Sequence, residues 1–544
     1  MNMKKLQLLS LVFFVSISVF SQEDAWVYFK DKPDAQLYYD SPLLMLAQRA
    51  LDRRTNQNIV LDLNDIPIHP LYISQIKNSN GITVLAKSKW LNSVHVRGTQ
   101  ADINSLALLT FVNRIDFADK TLNQTGKKTI VKKPTKVNKI QKTKVDYAYG
   151  TSANQIQMLN GQVLHQQNYT GSGKIIAIMD AGFPGVNTTQ PFQRLINNNQ
   201  ILGGYNYVLR DSNFYTGDSH GTAVLSLMGG YKENSLIGTA PDSSYYLFIT
   251  EDNTSENPIE ESLWVEAAEK ADSLGVDVIN TSLGYFDYDK PAYSHTYSEM
   301  DGATAYMSRG AVIAFSRGMI VVAAAGNSNN DGDPNTDSHI AVPADAAGVI
   351  AVGAVNSTEV LTSFSSIGPS YDNRIKPDVV AQGQSDYISD EFGNIVTGNG
   401  TSFSSPIMAG MIACLWQAFP NKTNAEIKQL ILEVSDRFAN PNNLYGYGVP
   451  DFSLALSNGL SVAQVSKNDA LIYPNPTNDL VSITFSTNLS KGTFMMYTIL
   501  GQKVLEKNIS GQSVVISLKT LNKGIYLYKL ESDIYATTGK IIKN

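Results

Sequence analysis

Apolar and polar positions along this chain change their rhythm twice. Between residue 22 and about residue 120 the apolar stretches are short and separated by polar ones. Residues 25–29, 82–85 and 94–96 read as strands of that region, and residues 43–51 and 100–109 as helices. Thr99 offers a side-chain cap for the second helix, and Asp102 places an acid in its first turn, where the helix dipole favours negative charge. From Tyr147 onward the apolar runs become continuous. Residues 175–179, Ile-Ile-Ala-Ile-Met, have the composition of a parallel strand buried on both faces. Residues 407–419 are apolar on nearly every side and include the small Ala409 and Gly410, which predicts a helix packed closely against its neighbours. Beyond Leu460 short strands return at 481–485, 495–499, 514–516 and 525–528, separated by turn residues as in a small β-sandwich.

At 544 residues the chain is long enough for about three or four domains, and the changes of rhythm supply boundaries. A hydrophobic content of 43% is ample for a large core, and the net charge of -6 gives no reason to expect a nucleic-acid partner. Residues 120–145 stand apart, with nine lysines and no acidic residue. They read as an exposed, protease-accessible linker rather than a nucleic-acid arm. Lys4 and Lys5 precede an apolar run at 6–20 that is too short to span a bilayer, so residues 1–21 read as a secretory signal cut after Ser21. No later run is long enough for a membrane helix, and the mature protein is expected to be exported, soluble and monomeric. The single cysteine, Cys414, falls in the apolar helix and reads as a small buried residue with no disulfide partner in the chain.

Candidate chemistry concentrates where polar residues interrupt the apolar runs. Gly398-Asn-Gly-Thr-Ser402 is a Gly-rich turn leading into the 407–419 helix, and Pro406 suits that helix's first turn, where no donor is lost. Ser402 then stands at the mouth of a buried helix whose free N–H groups point where an anion would form, as a nucleophilic serine requires. Ser404 and Ser405 fall deeper in the helix and rank below it. Asp180 stands at the carboxyl end of the 175–179 strand, where open α/β sheets keep functional groups. His220 precedes an apolar helix running through Met228, repeating the pattern at Ser402. Singly, these are a helix cap, a turn former and a structural histidine. Together, in the order Asp, His, Ser, they supply an orienting carboxylate, a general base of reference pKa about 6.5, and a nucleophile. Gly171-Ser-Gly-Lys174 is no phosphate loop, because Ile175 and a strand follow the lysine in place of Ser/Thr and a helix.

Asp180-Ala-Gly182, His220-Gly-Thr-Ala-Val224 and Gly400-Thr-Ser-Phe-Ser-Ser-Pro-Ile-Met-Ala-Gly410 resemble the three active-site motifs of the subtilisin-like serine proteases, over roughly residues 150–459. Residues 321–327 resemble the family's strand ending in the oxyanion-hole asparagine, and residues 277–284 the strand whose Ser-Leu-Gly backbone pairs with substrate. Ala181 and Ala223 depart from the family's usual residues, outside the triad, where they tune geometry at most. The resemblance implies an α/β fold, with a three-layer peptidase domain around a mostly parallel sheet at residues 147–460. It implies a secreted serine endopeptidase that hydrolyses protein or peptide substrates through an acyl-enzyme. The catalytic residues it implies are Asp180, His220, Ser402 and Asn327; the substrate-binding residues are Ser282, Leu283, Gly284, Ala324 and Gly326. No cofactor is required and no metal ligand is assigned. A structural calcium ion is admitted because the family often binds one, although the Asn/Asp-rich residues 327–337 lack the glutamate that closes a calcium loop. Residues 285–303 are expected as a rim loop, and 445–450 as the segment before the last helix.

The same resemblance makes residues 22–120 a small α+β propeptide that assists folding and inhibits until cut, with 121–146 as its basic tether. Tyr473-Pro-Asn-Pro476, Gly524-Ile-Tyr-Leu-Tyr528 and Gly539-Lys-Ile-Ile-Lys543 resemble the C-terminal sorting domain of the type IX secretion system. That implies a β-sandwich at 466–544, recognised by the export machinery, and passage through the periplasm and outer membrane to the surface or the medium. All four tryptophans lie elsewhere, which speaks against a carbohydrate-binding sandwich. Two readings of other classes stand beside this one. A catalytically inactive subtilase-like surface binding protein would need a broken triad. An α/β-hydrolase esterase would need Gly-x-Ser-x-Gly and the order Ser, Asp, His.

Overall fold

The structure, a computed structural model, describes residues 21–123, 146–329, 339–460, 471–498, 502–532 and 536–544. Residues 1–20 of the expected signal segment (1–21) and residues 124–145, most of the basic linker, lie outside the described residues. The chain divides into two units, residues 1–458 and 459–544, each described by itself.

The N-terminal part of the first unit is an antiparallel sheet of β1 (Gln22–Phe29), β2 (Thr83–Ser88), β3 (Ser93–Thr99) and β4 (Val112–Phe117), in the order β2-β3-β1-β4. Ala25, Val27, Val94 and Val96 bury one face in a core of its own with Ile76, Ile103 and Phe117. Thr99 caps the following helix as expected, accepting from the Asp102 N–H. That helix stops at Ser105 and continues as a single 3-10 turn, because the chain must bend back into β4. The helix expected at 43–51 also differs: a 3-10 turn covers Pro42–Leu44, and α1 runs from Gln48 to Asn56. Leu43 and Leu44 are exposed, whereas α1 buries Arg53 and Arg54. Charge pairing, not an apolar stripe, holds this helix in place.

Seven parallel strands form the central sheet: β5 (Ile175–Asp180), β6 (Ile201–Asn206), β7 (Ser244–Ile249), β8 (Val278–Thr281), β9 (Ile320–Ala324), β10 (Ile350–Val355) and β11 (Val379–Gln382). Every residue of β5, β8, β9, β10 and β11 is buried, as continuous apolar runs require of strands covered on both faces. Helices supply the cover: α2 (His220–Gly229), α3 (Ile259–Leu274), α4 (Tyr306–Ser316) and α5 (Thr401–Ala418). The strand order is β11-β10-β9-β8-β5-β7-β6. From β5 the chain first builds outward to β6 and β7, then crosses to β8 on the other side. The order of strand addition therefore reverses between β5 and β8, and the carboxyl ends of those strands border the crevice where open α/β sheets hold their ligands.

The N-terminal sheet lies on α3 and α4. Tyr28, Ala86, Trp90 and Ala118 share a core with Trp264, Val265 and Met307. The Trp26 indole stacks on Tyr306 at 5.0 Å and donates to Ser262 Oγ at 2.8 Å. Glu269 of α3 accepts from Ser88 Oγ and from the backbone N–H groups of Lys89 and Trp90, at 2.6, 3.0 and 2.9 Å. The fully buried Asp272 binds Arg53 at 2.5 Å and Arg54 at 2.7 Å.

The second unit is antiparallel: β12 (Leu471–Tyr473), β13 (Leu480–Thr498), β14 (Lys503–Ser517), β15 (Gly524–Ser532) and β16 (Ala536–Lys543). The stretches expected as separate strands at 481–485 and 495–499 belong, as far as residue 498, to one strand, β13; residue 499 lies outside the described residues. The polar residues between them carry register shifts, not a turn. The base of the β13–β14 hairpin pairs with β12 and its tip with β15, so one hairpin serves two neighbours. Val481, Ile483, Phe494, Met496, Ile516, Leu530 and Ile541 are fully buried in the common core.

Removing Asp272 leaves the buried Arg53 guanidinium without a carboxylate, and Arg54 with only Asp65, 2.8 Å away. Breaking one buried pair costs about 3–5 kcal/mol. Asp272→Ala is therefore expected to destabilise the full chain by that amount in denaturant unfolding, measured in a Ser402→Ala background. A loss below about 1 kcal/mol, the worth of a surface pair, would contradict this account of the docking.

Candidate active site

Asp180 is the last residue of β5 and is fully buried. A carboxylate in that position needs compensation. Its Oδ1 accepts from the Ala181 N–H at 2.8 Å and lies 2.7 Å from Nδ1 of His220. Its Oδ2 has no hydrogen-bond partner among the described residues. His220 opens α2, with its backbone N–H donating to Asp218 Oδ1 at 2.8 Å. The glycine that follows is required here. A Cβ on Gly221 would lie 2.4 Å from the Gly182 carbonyl oxygen, so only glycine lets the helix approach the loop that carries Asp180.

Burial pulls the His220 imidazole towards its neutral form, but the Asp180 charge and hydrogen bond outweigh it, and its pKa is raised to about 9. The side chain is 29% exposed, and its ring faces Phe403 with the centroids 6.1 Å apart. Phe403 adjoins Ser402, so α2 and α5 meet at the two residues expected to exchange a proton. Among the described residues no hydrogen bond joins Ser402 Oγ to His220. The hydroxyl instead donates to the Ser282 carbonyl at 3.1 Å.

Ser402 is the second residue of α5, and the hairpin Gln384–Ser389 and Ile395–Asn399 delivers the chain to it through Gly400. Pro406 lies in the second turn of α5, not in the first as its spacing suggested. The carbonyl it would have served as donor, that of Ser402, accepts from Ser282 Oγ at 2.8 Å. Ser404 and Ser405 are fully buried, and Ser404 Oγ is occupied by the Thr401 carbonyl at 3.0 Å.

Asn327 follows β9. Its Oδ1 accepts from the Thr401 N–H at 2.9 Å and lies 3.0 Å from Thr401 Oγ1, which settles the orientation of the amide. Nδ2 is turned the other way, towards Gly400. Gly400 has φ +147, and the position its Cβ would occupy lies 3.6 Å from Asn327 Nδ2 and 3.7 Å from the Ser402 nitrogen. Two donors thus flank a space that exists because residue 400 has no side chain. A cavity of about 270 Å³ opens beside it, lined by Ser282, Leu283, Gly284, Ala324, Gly326, Asn327 and Ser402. All five residues expected to bind substrate are there with Ser402 and Asn327.

Sequence reasoning missed the two hydroxyls that hold this arrangement, Ser282 Oγ and Thr401 Oγ1. A proline four residues after Ser402 was the available signal, since it orphans a helical carbonyl that must find another donor. Among the described residues no group of three or more His, Cys, Asp or Glu side chains is placed to hold a metal ion, and residues 330–337 of the suggested calcium loop lie outside those described.

The site is that of a hydrolase with a serine at the mouth of a buried helix, at the carboxyl edge of a parallel sheet. The family profile described as the Subtilase family matches residues 171–448, the Peptidase S8 propeptide domain, Bacteroidota, matches 24–136, and the Secretion system C-terminal sorting domain matches 471–544. Subtilisin NAT of Bacillus subtilis subsp. natto and subtilisin E of Bacillus subtilis (strain 168) are each 30% identical over 340 residues, 62% of this chain and 79% of theirs. Subtilisin of Bacillus pumilus is 31% identical over 298 residues, 54% of this chain and 94% of that one. The chain belongs to the subtilase family. It is a serine endopeptidase with a propeptide domain before it and, behind it, a sorting domain for type IX secretion to the cell surface or the medium. Among the described residues no helix is long and apolar enough to cross a membrane.

Only a neutral imidazole accepts a proton, and a raised pKa keeps His220 protonated to higher pH. With His220 as the base, kcat/KM is expected to rise with pH and reach half its plateau well above 6.5, towards about 9. Asp180→Asn removes the charge that raises the pKa, and its pH–rate midpoint should fall. A wild-type midpoint at or below 6.5, or one unmoved by Asp180→Asn, would contradict the pairing.

Proposed function

We propose that Ser402 is the nucleophile of a peptide-bond hydrolysis that passes through an acyl-enzyme. His220 takes the Ser402 proton as the oxygen attacks the carbonyl carbon, then returns it to the leaving amine as the carbon–nitrogen bond breaks. Water repeats the sequence on the ester, with His220 again as base, and releases the acid. Asp180 holds the imidazole with Nδ1–H towards itself, so that Nε2 faces the nucleophile, and it stabilises the imidazolium.

The observation that carries this reading is the pair of donors around Gly400. Asn327 Nδ2 and the Ser402 nitrogen lie 3.6 and 3.7 Å from one point beside Gly400, which supports a role for both in holding the tetrahedral oxyanion. Loss of one such donor costs about 2.7–4 kcal/mol in the barrier, a magnitude known from a related enzyme. The substrate backbone runs along Ser282, Leu283 and Gly284, and a side chain enters the 270 Å³ cavity. Every group in this scheme belongs to the chain, and a structural calcium ion would enter none of the steps. Residues 22–120 act as folding aid and inhibitor until the basic linker is cut, a role supported by their shared core with α3 and α4. The export machinery then recognises the C-terminal unit.

Ser402→Ala is expected to lower casein hydrolysis by at least about 10³-fold with the fold kept, as judged by circular dichroism. Intact-mass analysis should show wild-type enzyme starting between Thr121 and Thr151, and the variant still joined to residues 22–120. A variant with most of its activity, or fully active wild type with the propeptide attached, would overturn the proposal.

A further inference from the structure

Three residues converge on one hydroxyl at the end of β8. Ser282 is 5% exposed, and its Oγ lies 2.8 Å from the Ser402 carbonyl oxygen, 3.1 Å from Asn280 Nδ2 and 3.1 Å from Ser405 Oγ. The Asn280 amide nitrogen has only protons to offer, so it donates. The Ser402 carbonyl has only lone pairs, so it accepts. A serine hydroxyl carries one proton and two acceptor positions. The single proton of Ser282 goes to the Ser402 carbonyl, and Ser405 must therefore donate its own. The rotor has one arrangement that satisfies all three neighbours.

The Ser402 carbonyl needs this donor because of Pro406. In an uninterrupted helix the N–H of residue 406 would bond the carbonyl of residue 402, and proline has none. Ser282 takes its place from outside the helix. The bond is reciprocated, since Ser402 Oγ donates to the Ser282 carbonyl at 3.1 Å. Two hydrogen bonds thus tie the start of α5 to the end of β8, and they meet at the residue whose hydroxyl attacks and whose N–H holds the oxyanion.

We propose that Ser282, through its side chain, is a positioning residue for the nucleophile: it replaces the missing Pro406 N–H and fixes the Ser402 peptide at the geometry the reaction needs. This role is distinct from the backbone contact with substrate expected of the same residue, and it rests on Ser402 being the nucleophile. A displacement of the reacting atom by about 1 Å is enough to cost about 100-fold in rate.

The test is a double-substitution cycle on the secreted enzyme expressed from the full chain, with rates expressed per active site titrated by a fluorophosphonate. Ser282→Ala is expected to lower kcat about 10- to 100-fold with KM changed by less than about threefold. Ser282→Thr keeps the donor and should restore most of the rate. Pro406→Ala returns a backbone N–H to the Ser402 carbonyl, and in the Ser282→Ala background it should recover most of the loss. If the alanine variant is not secreted folded, Ser282→Cys, a weak donor of similar shape, takes its place and should lie between alanine and wild type. A lowered Tm with unchanged kcat per site would reduce Ser282 to a structural role and overturn the proposal. Failure of Pro406→Ala to rescue would also overturn it, by showing that the orphaned carbonyl is not what Ser282 serves. Casein hydrolysis by wild type and its loss in Ser402→Ala judge the protease mechanism separately, so either claim can fail alone.

Discussion

A carboxylate with no exposed surface at the end of a central strand dictates the local order of this site. Among the described residues, the hydrogen-bond partners of Asp180 are one N–H and the His220 imidazole. Burial penalises a lone charge heavily, so the loop and helix that bring His220 to it must pack without slack. That explains the glycine at 221, where any side chain would drive α2 away from the Asp180 loop. It also explains the direction of the His220 shift, since the same unscreened charge that must be compensated stabilises the imidazolium.

The docked N-terminal sheet shows the same physics used for recognition. Its contact with α3 mixes shared apolar burial with Arg53, Arg54 and Asp272, all nearly or fully buried. Such pairs add little net stability over an apolar contact, but they penalise every misplaced arrangement, because a shifted helix leaves a charge unpaired. A module that must seat one way on one surface gains specificity from them. Glu269, raised to about 7 by burial against the stabilising effect of Lys89 and its donors, contributes by holding the turn between β2 and β3.

Much of this was legible in the sequence, for physical reasons. Strands buried on both faces must be apolar throughout, and residues 175–179 announced β5. Reactive groups before apolar helices marked His220 and Ser402, and the ordered motifs placed Asn327 and Ser282 to Gly284 beside them. What was not legible depended on which group satisfies which. The burial of Arg53 and Arg54 had no local signature, because their partner Asp272 lies 218 or more residues away in sequence. Pro406 read as a first-turn residue, because only the structure shows that α5 begins at Thr401 and that Ser282 supplies the missing donor. The polar stretch inside β13 read as a turn, because register shifts within a long hairpin leave the same polar signature.

Labelling with a fluorophosphonate, followed by peptide mapping, tests the central claim most directly. The account predicts one covalent adduct per active enzyme, on Ser402, with casein hydrolysis lost in proportion to labelling. An adduct on Ser404 or Ser405, or full hydrolysis by enzyme stoichiometrically labelled at Ser402, would contradict it.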